Sequence, residues 1–213
     1  MIKNILKELK EHASFTFLGA FSGIIIFFLL KNIPNSISYK LFYTFHPLHV
    51  FLSAFVTAAM FKIHDKKANW IKILIIGFVG SVGIATVSDS IIPYIGETIL
   101  HLPNREMHLG FIEEWYIVNP IAILGILLAM FIPKTKVPHM GHVFVSTWAS
   151  LFHVMMSIGG QVGILTYLAI LSLLFIAVWV PCCVSDIVFP MLFIKDCPPH
   201  CMCCGGNEEV ENV

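Results

Sequence analysis

Six apolar runs restrict this chain to a small set of folds. They cover residues 15–30, 49–61, 71–87, 117–132, 143–158 and 162–180. A helix needs about 20 largely apolar residues to span a bilayer, and flanking polar residues extend several of the runs to that length. Only 12% of the residues are charged and the mean hydropathy is +0.85, whereas ordinary domains are roughly a quarter charged. The sequence therefore predicts an all-α, polytopic membrane protein with six transmembrane helices.

The basic residues predict the orientation of these helices, because Lys and Arg concentrate in cytoplasmic loops. If the N-terminus is inside, the outer segments contain only Lys31, Lys40 and Arg105. The inner segments contain the other ten: Lys3, Lys7, Lys10, Lys62, Lys66, Lys67, Lys72, Lys134, Lys136 and Lys195. We therefore expect a cell-membrane protein with both termini in the cytoplasm. The formal net charge of zero gives no indication of nucleic-acid binding.

Two segments of the first half of the chain return in the second half. His46-Pro-Leu-His49-Val-Phe returns as His139-Met-Gly-His142-Val-Phe, and Ser88-Asp89-Ser-Ile-Ile-Pro93 returns as Ser185-Asp186-Ile-Val-Phe-Pro190. Internal repeats constrain the whole fold. Each unit contains three helices, an odd number, so the second unit must be inserted upside down relative to the first. The sequence thus predicts two inverted three-helix repeats, an architecture that recurs in secondary transporters.

The repeat divides the chain into segments. Residues 1–14 are predicted to form an amphipathic N-terminal segment, and residues 195–213 a Cys-rich cytoplasmic tail. The first repeat is 15–100, with helices at 15–31, 46–62 and 70–88, and the second is 117–194, with helices at 117–132, 141–158 and 162–181. Between them, 101–116 is expected to be a solvated outer loop. The alternative is a functional role for this loop: together with the adjacent Glu97 it supplies several acidic and His side chains, which could gather cations.

The inverted arrangement predicts two polar clusters near opposite faces of the membrane. His46 and His49 would start helix two at the outer face, where Asp89 ends helix three. The corresponding residues of the second repeat, His139, His142 and Asp186, would lie at the inner face. Pro93 and Pro190, four residues after each Asp, are expected to end or kink their helices.

The residue types in these clusters suit a metal ion. Histidines spaced i, i+3 project from one face of a helix, and imidazole binds zinc, nickel, cobalt, copper and iron, with a carboxylate to complete a mixed site. Ionisable groups in a membrane also mark proton or substrate pathways. The alternative is a structural His–Asp pair near a helix end. The hydroxyls that follow the histidines at four-residue spacing favour helix packing.

The tail is dense in soft metal ligands: Cys197, His200, Cys201, Cys203 and Cys204. A cytoplasmic tail lies in a reducing compartment, where disulfides are rare and thiolate ligation is the more natural use of cysteine. Cys182 and Cys183 are expected on the same side. Palmitoylation of the tail is the alternative use.

These observations predict a transporter or permease for a transition-metal ion, with zinc as the first candidate. The expected partners are the ion and the lipid bilayer, with a second copy of the chain or a separate energising subunit as further candidates. The sequence has no nucleotide-binding loop. A zinc-dependent membrane hydrolase is one alternative, disfavoured because an enzyme needs one cluster rather than two. A haem protein is another, with His49, His142 and His153 as axial ligands. The predicted depths of His49 and His142 would prevent these two from sharing a haem.

Overall fold

The computed structural model describes residues 2–65, 67–132, 136–160 and 162–194. For residues 2–12, 136–139, 186 and 187, only the backbone is described. The described residues contain no strand and form six long helices. These are α1 (Ile2–Leu30), α2 (Asn35–His64), α3 (Trp70–Ile99), α4 (Trp115–Phe131), α5 (Lys136–Ser157) and α6 (residues 164–191). A single helical turn, Gly110–Glu113, precedes α4.

The prediction of an all-α membrane protein is confirmed at this level. Within the described residues, four helical segments are long and apolar enough to cross a membrane: Ala13–Leu30, Asn35–His64, Trp70–Ile99 and Ile164–Cys183. The helix α4 is apolar but shorter. Large apolar side chains such as Phe17, Leu29 and Leu165 are exposed on the outside, as expected of helices that face lipid rather than water.

The second helix begins at Asn35 rather than at the predicted residue 46. The polar residues before His46 resemble a loop in hydropathy, but they continue the helix. Ser38, Phe42 and His46 follow one another at four-residue spacing and are all buried, so they form one face of a continuous helix. His49 therefore lies in the middle of α2 rather than near its start.

The third helix also runs further than predicted, to Ile99 rather than residue 88. It does not end at Pro93. Instead, the backbone widens into a π-helical turn over Val87–Ile91, just before the proline, and an earlier π turn covers Val79–Gly83. A third π turn, Val184–Val188, precedes Pro190 in α6. The proline lacks the N–H that an α-helix would require, and a π turn is one way to accommodate this loss.

The helices α2 and α5 pack against each other along the centre of the molecule. The helix α1 lies against α5 and α6, whereas α4 lies against α2 and α3. The helices α4 and α2 approach very closely at Gly125, where a Cβ atom would lie 2.5 Å from the carbonyl oxygen of Phe51. Apolar cores therefore form on the two flanks, and the polar side chains between them are enclosed by four helices.

Candidate metal centre

A buried carboxylate, Asp89, organises the polar centre of the molecule. Its Oδ2 lies 2.9 Å from Nδ1 of His46 and 2.7 Å from Nδ1 of His49. Its Oδ1 accepts hydrogen bonds from the hydroxyls of Ser88, at 2.7 Å, and Ser146, at 3.0 Å. A carboxylate has about four acceptor positions, and all of them are engaged here. Asp89 therefore holds both imidazoles with the proton on Nδ1, which leaves the Nε2 lone pairs available for other contacts.

Three ligand-type side chains meet beside this carboxylate, and we call them the central cluster: His49, His142 and Cys182. One ligand atom from each lies within 4.8 Å of the other two, and all three residues are buried. Nε2 of His49 is 4.0 Å from the Cys182 sulfur, and the rings of His49 and His142 have centroids 5.5 Å apart. Ligand atoms around a tetrahedral zinc are about 3.3 to 3.8 Å apart, given its bond lengths. Small side-chain movements would thus bring the three atoms to coordination distance.

Three helices that are distant in sequence supply the central cluster: α2 gives His49, α5 gives His142 and α6 gives Cys182. A fourth helix, α3, contributes Asp89 from its π turn. Since π turns are rare and recur at functional sites, the position of this turn at Asp89 is notable. The site is thus built where the two halves of the chain meet.

The hydroxyls beyond the central cluster form matching contacts in the two halves. Thr57 of α2 donates to the carbonyl oxygen of Ser185 at 3.3 Å, and Ser150 of α5 donates to that of Ser88 at 3.0 Å. The Ser53 and Ser185 hydroxyls are 3.0 Å apart, which corresponds to the longer contact of 3.4 Å between the hydroxyls of Ser146 and Ser88. These hydroxyls connect helices, as a packing role predicts.

The predicted separation of His49 and His142 to opposite faces is wrong. The prediction placed each histidine at the start of its helix, but α2 begins at Asn35 and α5 at Lys136. His49 therefore lies near the midpoint of α2, at the same depth as His142. A difference in depth therefore no longer argues against a haem shared by His49 and His142, and haem binding stays an untested alternative.

The structure brings together His46, His49, Asp89 and His142 from the predicted set. The side chains of His139 and Asp186 lie outside the described part, as do the tail residues Cys197, His200, Cys201, Cys203 and Cys204; their metal ligation stays a prediction. Cys182 was not among the predicted ligands. Its proximity to His49 depends on the depth of two helices, which no local motif encodes.

A second polar group lines an open cavity of about 640 Å³, which we call the outer cavity. Glu97 and His153 lie in its wall, with Oε1 of Glu97 2.8 Å from Nδ1 of His153. His108 and Glu113 lie there too, with Nδ1 of His108 3.2 Å from Oε2 of Glu113. Glu97, which lies beyond the predicted end of helix three at residue 88, is fully buried on α3, because the helix continues beyond Pro93.

Glu113 is the acidic group of the outer cavity with the most hydrogen bonds. Partial burial raises the pKa of its carboxyl, but donors from Tyr43, the Leu109 backbone and His108 outweigh this effect and lower the net pKa. The hydrogen-bond donors stabilise the charged form. Glu113 is therefore ionised near neutral pH and contributes a negative charge to the cavity wall.

Phe42 lies between the histidines of the outer cavity and His46, which shares Asp89 with His49 of the central cluster. Its buried ring stacks on His46, with centroids 5.3 Å apart, and contacts His153 edge-on at the same distance. His108 lies 6.1 Å away on the same aromatic group. One apolar ring thus stands between two groups of histidines.

Comparison of the chain with protein-family models, with curated proteins and with solved structures gives no match in any of the three. The functional argument therefore depends on the geometry of the chain itself.

Proposed function

We propose that the chain is an integral membrane transporter for a transition-metal ion, with the central cluster as the substrate site. The observation that carries this proposal is the meeting of His49, His142 and Cys182 within 4.8 Å, fully enclosed by membrane-type helices. Ionisable groups in such a position are costly unless they serve a function or are compensated. Two imidazoles and a thiol form a soft to borderline ligand set.

The ligand set indicates which ions would bind. Imidazole with thiolate suits zinc, copper, cobalt and nickel better than magnesium or calcium, which prefer oxygen. Zinc remains the first candidate, since it accepts His and Cys together. Asp89 has a positioning role in this proposal, because a carboxylate that holds Nδ1–H orients the imidazole and increases its basicity. Cys182 would lose its proton when the ion binds.

The proposal includes six transmembrane helices arranged as two inverted repeats, with both termini in the cytoplasm. The packing supports this arrangement: α1 lies against α5 and α6, just as α4 lies against α2 and α3. The π turns at Asp89 and at Ser185–Asp186 occupy equivalent positions of the two units, and the hydroxyl contacts correspond in pairs. Two such halves can exchange outward-open and inward-open states around a shared site.

The ion would enter through the outer cavity, pass Phe42 and reach the central cluster. Several acidic and His side chains line that cavity, which favours a cation over an anion. On the inner side, the Cys-rich tail would receive or buffer the released ion. A second copy of the chain or an energising subunit remains part of the proposal, and neither is required for downhill flux.

Uptake into liposomes tests the proposal directly. Purified protein is reconstituted into liposomes that contain a zinc-sensitive dye. Zn²⁺ influx is then followed for wild type, His49→Ala, His142→Ala and Cys182→Ser. We expect influx with wild type and at least a tenfold loss with each variant. His64→Ala is the matched control for His49→Ala, since His64 lies at the end of α2. Among the described residues, the only hydrogen-bond partner of its side chain is the carbonyl oxygen of Met60, one turn earlier in the helix.

Influx that is unchanged in all three cluster variants would refute the central site. The same preparation separates the alternatives. A Soret band in the purified protein would identify a haem protein, and hydrolysis of a lipid or peptide that requires bound zinc would identify a metalloenzyme.

A further inference from the structure

The outer cavity contains a histidine arranged like His49 of the central cluster, with a buried carboxylate at Nδ1. His153 is 1% exposed, and its Nδ1 is held by the fully buried Glu97 at 2.8 Å. The other nitrogen, Nε2, is buried and has no hydrogen-bond partner among the described residues, and the same is true of Oε2 of Glu97. An unsatisfied buried polar atom costs about 1 to 3 kcal/mol. Two such atoms in the wall of one cavity therefore indicate a ligand.

A second imidazole lies next to the first. The ring of His108 has its centroid 5.5 Å from that of His153, which equals the separation of His49 and His142 in the central cluster. Nδ1 of His108 faces the Glu113 carboxylate at 3.2 Å. Each imidazole of the cavity thus has a carboxylate at Nδ1, the arrangement that orients metal-binding histidines in proteins.

We propose that His108 and His153 form a second transition-metal site in the outer cavity, which holds the cation before it passes Phe42. The chemical class is a borderline divalent cation such as zinc, cobalt or nickel, because the ligands are imidazoles supported by carboxylates. With two imidazoles and no thiolate, this site binds more weakly than the central cluster, as a transit site must. Its role as a transit site rests on the proposed function, but its binding of a cation does not.

A cobalt titration tests this site separately from the central one. The titration uses a full-length variant in which Cys197, Cys201, Cys203 and Cys204 are each replaced by serine, so that these thiols do not bind the probe. Co²⁺ bound by Cys182 produces a thiolate charge-transfer band, whereas Co²⁺ bound by imidazoles alone does not. Calorimetry of the same samples counts the binding events. We expect two events with the otherwise unchanged chain, and the thiolate band accompanies the tighter one.

Replacement of the outer imidazoles should affect the weaker event alone. His108→Gln and His153→Gln are expected to abolish it and to keep the thiolate band, which also reports that the fold is intact. Glu97→Gln retains shape and both histidines and should weaken this event about 10- to 100-fold. The matched control is His101→Asn, because His101 is exposed in the same loop and Asn tolerates its left-handed backbone at φ 52°.

The site is refuted if the weaker event survives unchanged in all three variants, or if His101→Asn abolishes it equally. Failure of the proposed function has a different signature. In that case the thiolate band is absent from the unchanged chain and from Cys182→Ser alike, whereas the weaker event still depends on His108 and His153.

Discussion

At the scale of single residues, Asp89 has the largest number of consequences. It accepts hydrogen bonds from two imidazoles and two hydroxyls while fully buried. An amide in its place accepts on one side and donates on the other, so either the two hydroxyls must turn to accept from it or the two imidazoles must move their protons to Nε2. The orientation of His49 toward Cys182 therefore depends on the carboxylate as well as on the helix.

We predict that Asp89→Asn weakens metal binding about 10- to 100-fold, because a neutral amide holds Nδ1–H of His49 less strongly than a carboxylate and does not increase the basicity of the imidazole. The free energy of unfolding should fall by about 1 to 3 kcal/mol, since hydrogen bonds to a buried carboxylate are replaced by weaker ones to a neutral amide. Metal affinity is measured by calorimetry and stability by denaturant unfolding in detergent.

The control for this change is Asp65→Asn. Asp65 follows α2 in sequence, and among the described residues its side chain accepts one hydrogen bond, from the backbone N–H of Lys67 at 3.2 Å. Its replacement should alter neither quantity measurably. Equal effects of the two substitutions would mean that Asp89 has no special role at the site.

The association of His46, His49 and Asp89 could be predicted from the sequence, because i, i+3 spacing and the repeat both point to it. Cys182 could not be assigned in this way. Its contact with His49 joins residues 133 positions apart, and it requires knowledge of where α2 and α6 begin. A short motif specifies which residues share a helix face, but not how deep that face lies relative to another helix.

At the scale of helices, the packing of α4 against α2 depends on the absence of a side chain at Gly125. A Cβ atom there would lie 2.5 Å from the Phe51 carbonyl oxygen and 3.3 Å from the Ala54 Cβ. Backbone atoms cannot move aside as a flexible side chain can, so the helices would have to separate.

We predict that Gly125→Ala lowers the free energy of unfolding by about 1 to 3 kcal/mol, the usual cost of overpacking. Gly83→Ala is the matched change in α3, where a Cβ atom would meet nothing within 4 Å and the backbone is helical. It should raise stability by about 0.5 to 1 kcal/mol. Thermal unfolding in detergent measures both, and shifts of the same sign would contradict the packing described here.

The all-helical fold could be predicted from the sequence, but the residues at which the helices begin and end could not. The apolar runs identify the interior of each helix, but α2 begins among polar residues whose burial has a four-residue period. Mean hydropathy averages the buried and the exposed positions of this part of α2, so the segment has the low value that is typical of a loop. In α3, Pro93 suggested an end that the π turn avoids, and this error placed Glu97 beyond the predicted end of the helix rather than in the wall of the outer cavity.

At the scale of the whole molecule, the distribution of basic residues supports the proposed topology. Ten of the thirteen Lys and Arg residues lie in the segments assigned to the cytoplasm. Because positive residues near helix ends set orientation, the ten-to-three division is a specific basis for a topology experiment.

We predict that green fluorescent protein fused at the C-terminus fluoresces and that alkaline phosphatase fused there is inactive, since phosphatase needs export to fold. A fusion after Arg105 should show the reverse pattern. Phosphatase activity at the C-terminus would contradict the cytoplasmic tail.

The π turn at Val87–Ile91 has a consequence for insertions and deletions. A π turn closes its hydrogen bond one residue later than an α turn, so this stretch of α3 contains one residue more than a regular helix would use. Ser90, whose buried hydroxyl has no partner among the described residues, is a candidate for that surplus residue. Its deletion would let the backbone return to an α-helix with the residues on both sides keeping their faces, whereas a deletion in a regular part of α3 would rotate one side by about 100° about the axis. The π turn is therefore the place in α3 where the chain can lose one residue and still keep its lipid-facing stripe outward.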